Sequence, residues 1–317
     1  MKLKYSLFSL LILVLSTGCI TSCGDDDDND IILGGGGTVN PTPQPNPNPT
    51  PQPNPEEGPA VTGDAARLEM PRMVKGTRFV THYTKNKGKD ILNYALEYDP
   101  ACGHSRWVAF RFDDDTRGKN VGRKDHAIRP QYPQDPLLDD NEALPSDLSF
   151  GRGYDHGHLC SSADRLFSRE GNDQTFYMSN MSPQLANFNQ KYWVTLEQHV
   201  QKLGRDRSFA DTLYVVKGGT ITPNLTNGTA AKGRIVIPKY YYMALLKVKN
   251  NTYQSIAFLM EHKNYGSNYA NLSEMKKHIV SVDYLEQFTG IDFFHNLPDR
   301  IETLVEQQKD GYSWELK

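Results

Sequence analysis

Gly153-Tyr154-Asp155-His156-Gly157-His158-Leu159, Ser179-Asn180-Met181-Ser182-Pro183-Gln184 and the run from Asn187 to Leu203 hold the densest set of reactive side chains in this 317-residue sequence. In the third stretch Trp193, Leu196, Val200 and Leu203 recur at three- and four-residue steps, which predicts a helix, and Gly204 follows as a stop. A second helix is expected over Val282 to Phe288, ending at Thr289-Gly290. Aromatic and β-branched runs predict strands at Thr77 to Tyr83, Ile91 to Tyr98, Arg106 to Phe112, Thr212 to Val216, Tyr240 to Val248 and Ser255 to Met260. Asp113 to Ser149 is polar and proline-interrupted and reads as a long loop. Strands among interspersed helices indicate an α+β fold. No repeat or second linker divides residues 67–317, so they read as one domain.

Composition narrows the classes outside that core. With 38% hydrophobic and 23% charged residues, the chain as a whole is not disordered. No apolar run reaches the roughly 18 to 20 residues of a membrane-spanning helix, which excludes a polytopic membrane protein. Four cysteines (Cys19, Cys23, Cys102, Cys160) without paired C-x-x-C spacing make neither a disulfide scaffold nor a structural zinc site. From Arg67 onward 33 basic residues face 30 acidic ones, too even a balance for binding polyanions through bulk charge. A nucleic-acid function would need a local patch.

The start of the chain reads as an address. A basic Met1 to Lys4, an apolar Tyr5 to Thr17 and small residues after it form a secretory signal over residues 1–22. Ile20-Thr21-Ser22-Cys23 resembles a bacterial lipobox, making Cys23 the expected lipidation site, with Cys19 or a simple cleaved signal as alternatives. The acidic Gly24 to Asp28, Gly34 to Gly37 and the prolines of Pro41 to Pro55 then form an unfolded tether over residues 23–63. The expected location is the outer membrane, exposed at the cell surface and held through the N-terminal lipid only.

The three reactive stretches, with Phe188-Asn189, Leu196-Glu197, Thr289 to Phe294 and Leu297-Pro298-Asp299, resemble the DNA/RNA non-specific endonuclease family, the ββα-metal (His-Me finger) nucleases that include endonuclease G. The family's Asp-Arg-Gly-His supplies a general base, and its Ser-Asn-x-x-Pro-Gln, a later Asn and a Leu-Glu supply the metal site. Asn180, Asn189 and Glu197 keep those intervals. The resemblance implies a mostly antiparallel central sheet flanked by helices, hydrolysis of DNA and RNA with little sequence preference, and a Mg2+ cofactor, with Mn2+ or another divalent cation as substitutes. The oligomeric state stays open, a homodimer among the options.

Chemistry gives each residue type a reason. Phosphodiester hydrolysis needs an activated water and neutralised phosphate charge. A histidine with an ordinary pKa near 6.5 is a ready proton acceptor, so His158 is the expected base. Magnesium prefers oxygen ligands, keeps several waters and often takes one or two protein ligands, which suits the Asn189 amide. Eight residues of straight helix span about 12 Å, so Asn189 is expected in the inner sphere and Glu197 in the outer. Asn180 could ligate metal or cap a turn; Asp155 reads as ordering the strand end or orienting a histidine. His156 and His158 also form a His-x-His pair that could hold zinc, but no third ligand stands at a persuasive spacing. His156 replaces the family's Arg, Lys191 a common Gly, and Gln201 an Arg found in some members. Arg152, Lys191, Arg165 and Lys202 are candidates to restore phosphate-binding charge, and dependence on protonated His156 would shift the pH optimum toward acid. Cys102 and Cys160 are a candidate disulfide. The rival readings are a surface nucleic-acid-binding lipoprotein with a degenerate active site and a phosphodiesterase for small nucleotides.

Overall fold

The computed structural model describes residues 62–316; the signal, Cys23 and nearly all of the tether lie outside them. The chain joins the fold slightly earlier than expected, in a turn at Gly63–Ala66 that Asn296 holds by donating to the Ala65 and Arg67 carbonyls at 2.9 and 3.1 Å. In order the elements are β1 (Arg78–Asn86), β2 (Lys89–Asp99), β3 (His104–Phe112), β4 (Tyr154–His158), α1 (Arg169–Gln174), β5 (Met181–Leu185), α2 (Val194–Arg205), β6 (Thr212–Gly219), β7 (Thr226–Ala230), β8 (Ile235–Pro238), β9 (Tyr240–Lys249), β10 (Thr252–Glu261), α3 (Leu272–Met275), β11 (Ile279–Val280), α4 (Val282–Thr289) and α5 (Asp299–Glu306).

Seven strands make one sheet in the order β1-β2-β3-β6-β9-β10-β11, antiparallel throughout. Its two faces carry separate cores, because successive side chains of a strand point to opposite sides. On one face Val108, Phe110, Leu213, Val215 and Leu245 pack with Trp193, Leu196, Val200 and Leu203. On the other, Trp107, Ala109, Val216, Ala244 and Leu246 pack with Val282 and Leu285 of α4 and Val305 of α5. The hairpin β4–β5 stands apart as its own two-stranded sheet, and α2 follows it, giving the strand, strand, helix order that the resemblance implies.

All six expected strands form. The first expected helix begins differently: Phe188–Trp193 is a π-helical turn, and α2 continues from it to Arg205. The wider turn lets Phe188, Tyr192 and Trp193 all reach the interior. Gly204 does not stop the helix. It lies inside α2, where an added Cβ would come within 2.3 Å of the Phe112 ring. Gly290 does end α4, with φ of 69°. No regular helix or strand lies between β3 and β4, yet the loop is pinned: buried Asp135 accepts from His82 at 3.0 Å and from Ser179. Among the described residues no helix is long and apolar enough to cross a membrane.

Cys102 and Cys160 are both free thiols, which corrects the disulfide expectation. Cys160 is sealed in the core beyond β4, while the Cys102 thiol points to the Ile221 carbonyl at 3.8 Å.

Candidate active site

Beside the β4–β5 hairpin and α2 lies a cleft of about 550 Å³, lined among others by Arg123, Tyr132, Asp155, His156, His158, Asn189 and Glu197. The hairpin can carry it because Gly157 has no side chain: a Cβ there would overlap Gln184 at 2.3 Å. His158 ends β4. Its ring stands edge-on to Phe176 at 4.9 Å, and its Nε2 is buried with no hydrogen-bond partner. Burial first, then the charge of Arg123, pushes its pKa down to about 3, so the imidazole is neutral at physiological pH with an unpartnered nitrogen.

Asp155 orients an asparagine rather than a histidine. Its Oδ2 accepts from Asn189 Nδ2 at 2.9 Å and from Gln190 Nε2 at 2.8 Å. A carboxylate only accepts, so the amide nitrogen of Asn189 must face it and the amide oxygen is turned away, available to a cation. Asn189 sits within the π-helical turn and caps no helix. Asn180 is purely supporting: it accepts from Cys160 N at 2.8 Å and donates to Cys160 O and Thr175 O at 2.9 and 2.6 Å. Those bonds hold the chain just beyond His158.

Glu197 has a partner that the sequence reading missed. Lys217 of β6 is fully buried, bonding Glu197 at 3.0 Å and Asp164 at 2.7 Å. Burial raises the Glu197 pKa against the pull of Lys217, because that one lysine is shared; the two carboxylates in turn hold Lys217 charged. Lys217 falls at the inward register of Leu213 and Val215, so a lysine at a core position of a strand was the available signal.

The other expected phosphate binders fare differently. His156 is sandwiched between Tyr132 at 4.1 Å and Phe150 at 4.4 Å, and its Nε2 bonds the Leu148 carbonyl at 2.9 Å. Burial lowers its pKa, so it lines the cleft as a neutral ring, and neither a cationic stand-in for the family's Arg nor an acid-shifted optimum follows. That bond also removes Nε2 as a ligand, and among the described residues the His156–His158 pair belongs to no cluster of three metal-binding side chains. Arg165 is buried over Phe110 and Phe112 and donates to the Asn93 and Arg111 carbonyls at 3.2 and 2.9 Å. Lys202 pairs with Glu315, and Gln201 donates to Asp164 at 2.9 Å. Arg152 and Lys191 are exposed and are not among the cleft's lining residues. The cleft's cation is instead Arg123, from the loop before β4, stacked over Phe176 at 5.0 Å and donating to Ser162 at 3.2 Å. An aperiodic loop gave no signal that could have singled it out.

The DNA/RNA non-specific endonuclease family model matches residues 75–300. The chain belongs to that family. A nuclease of Nostoc sp. is 33% identical over 224 residues, covering 69% of this chain and 77% of that one. Human mitochondrial endonuclease G is 24% identical over 223 residues, covering 67% and 71%. A crystal structure of an EndoG/EndoGI complex superposes with a TM-score of 0.57 at 20% identity, covering 70% of this chain and 89% of that one, which shows the shared fold. This non-specific endonuclease thus has the mostly antiparallel sheet and the ββα unit expected of it, and it is a hydrolase of nucleic-acid ester bonds. Where the family's Arg is expected it carries a stacked neutral histidine, with a guanidinium reaching the same cleft from a distant loop.

Proposed function

We propose that this endonuclease is exported, anchored by a lipid on Cys23 at the outer cell surface, and cleaves DNA and RNA with a divalent cation, Mg2+ by preference, His158 acting as base. The observation that carries the reading is the pairing, in one cleft, of the unpartnered Nε2 of neutral His158 with an Asn189 amide oxygen freed by Asp155.

His158 takes the proton from the attacking water. Burial keeps its imidazole neutral, and a phosphodiester arriving beside the ring adds negative charge that draws its basicity upward toward the working pH. Arg123 binds a phosphate oxygen, and because it is always charged it does so at any working pH. Asn189 would hold the cation, a single neutral oxygen donor suiting an ion that keeps most of its waters, with Glu197, tethered by Lys217, assigned to the outer sphere. When bound, the cation supplies Lewis-acid stabilisation of charge on the phosphate. Contacts aimed at phosphate carry no base information, which fits weak sequence preference.

The test is nicking of supercoiled plasmid and degradation of RNA by the purified protein with Mg2+ or EDTA, beside His158→Ala. Cleavage that needs Mg2+ and falls by about 10²–10⁴-fold in the variant is expected. Intact substrates with folded protein from about pH 5 to 9 would overturn the reading and leave a binding protein.

A further inference from the structure

On the sheet face opposite the nuclease cleft, α4 and α5 both pack against β10 and bring acids together. Asp283 and Glu286 stand three residues apart on α4, and Glu302 and Glu306 four apart on α5, so each pair lies on one side of its helix. One carboxylate oxygen from each of Asp283, Glu286 and Glu306 lies within 4.8 Å of the other two. Glu306 is only 5% exposed, and its Oε1 is buried without any hydrogen-bond partner. An unpartnered buried carboxylate oxygen is costly, and native proteins rarely keep one without an ion, a proton or water to satisfy it.

The surroundings do not supply the missing charge. Arg72, whose charge is felt at Glu302, bonds Asp292 at 2.7 Å, and His295 is kept neutral by burial and by Arg72. Glu286 accepts one backbone bond, from Phe293 at 2.7 Å. Burial and then the neighbouring carboxylates push the Glu306 pKa up to about 9, and Glu286 and Glu302 to about 7, the response of like charges that lack a counter-ion.

We propose that Asp283, Glu286 and Glu306 form a second, non-catalytic site for a hard divalent cation, calcium by preference, that ties α4 to α5. Calcium takes six to eight oxygen ligands at about 2.3–2.6 Å in flexible geometry, and carboxylates are its usual protein ligands, which fits three converging acids with room for waters on the exposed side. Magnesium demands near-ideal octahedral geometry at about 2.0–2.1 Å, keeps several waters and is seldom held by a cage of carboxylates. Asp283 and Glu286 remain partly exposed, which leaves the ion a way in, while Glu306 closes the site from beneath.

Calorimetric titration of the metal-free protein with CaCl2 alone, at about pH 7.5, tests this beside Glu306→Gln and Asp283→Asn. We expect a binding component that weakens at least about tenfold in both variants, and a calcium-induced rise in Tm that disappears with it. Glu306→Gln places a neutral amide where the metal-free parent must take up a proton, so in EDTA it should melt no lower than the parent; Asp283→Asn, at the partly exposed rim, reads the same site if the first variant fails to fold. Mg2+-dependent plasmid cleavage should be unchanged in both. Calcium binding identical in parent and variants, or no calcium response in the parent while its Tm climbs on acidification, would overturn the proposal and leave the cluster holding protons only.

Discussion

Two buried acidic groups lie on opposite faces of one sheet. On the α2 face, Asp164 and Glu197 share Lys217, with contacts of 2.7 and 3.0 Å, and Gln201 and the Ser161 amide complete the bonding of Asp164 at 2.9 and 3.0 Å. On the α4–α5 face, Asp283, Glu286 and Glu306 converge with no such lysine among the described residues, and an oxygen of Glu306 is left unpaired. The difference teaches that burial alone does not decide the state of a carboxylate. A cation built into the chain gives one group a fixed ion-pair partner beside the cleft, whereas the other must take a proton or a dissolved ion.

Removing the built-in cation is the strongest test of that contrast. Lys217→Met should destabilise the protein by about 3–5 kcal/mol in urea unfolding near neutral pH, because two buried carboxylates lose their shared partner. Adding Asp164→Asn and Glu197→Gln should recover part of the loss; a single variant as stable as the parent would show that Lys217 holds nothing. Arg123 should behave otherwise, being exposed at the cleft. Arg123→Met is expected to lower kcat/KM on plasmid by about 10–100-fold, mostly through KM, with unfolding shifted by less than about 0.5 kcal/mol. An unchanged KM would remove Arg123 from phosphate binding.

The smallest expected effect is in pH dependence. Folded Glu306 binds its proton more tightly than the unfolded chain does, so the stability it contributes is present below the ordinary carboxylate range and is lost as pH rises toward about 9. Depressed histidines act in the opposite direction: His104 and His262, at about 4, and His158, at about 3, cost stability as pH falls below about 6.5. In EDTA the fall between about pH 6.5 and 8.5 should shrink by about 1 kcal/mol, or ~2–4 °C in Tm, in Glu306→Gln, while below about pH 4, where folded and unfolded parent both carry the proton, the two proteins should run in parallel. Parallel alkaline limbs in the two proteins would show that the cluster is not what titrates.

Much of this was legible in the sequence wherever a local pattern carried it. The spacing of Asn180, Asn189 and Glu197 led to the family, the strands followed from β-branched and aromatic runs, and the left-handed Gly290 closed α4 where expected. What failed had no local signature. Gly204 reads as a helix stop until the Phe112 ring is seen against it, and His156 reads as a cation until Tyr132 and Phe150 enclose it.

Periodicity and motif spacing, which depend on neighbours along the chain, thus determined the α+β class, the family and the identity of His158, Asn189 and Glu197 as candidate residues. Only tertiary structure decided their state: that His158 is neutral, that Asp155 turns the Asn189 amide, that Glu197 answers to Lys217, and that Arg123 provides the cleft's charge. The reason is that burial and charge pairing depend on groups far apart in sequence. Glu197 and Lys217 are 20 residues apart, Asn189 and Asp155 34, and no pattern along the chain records that they meet.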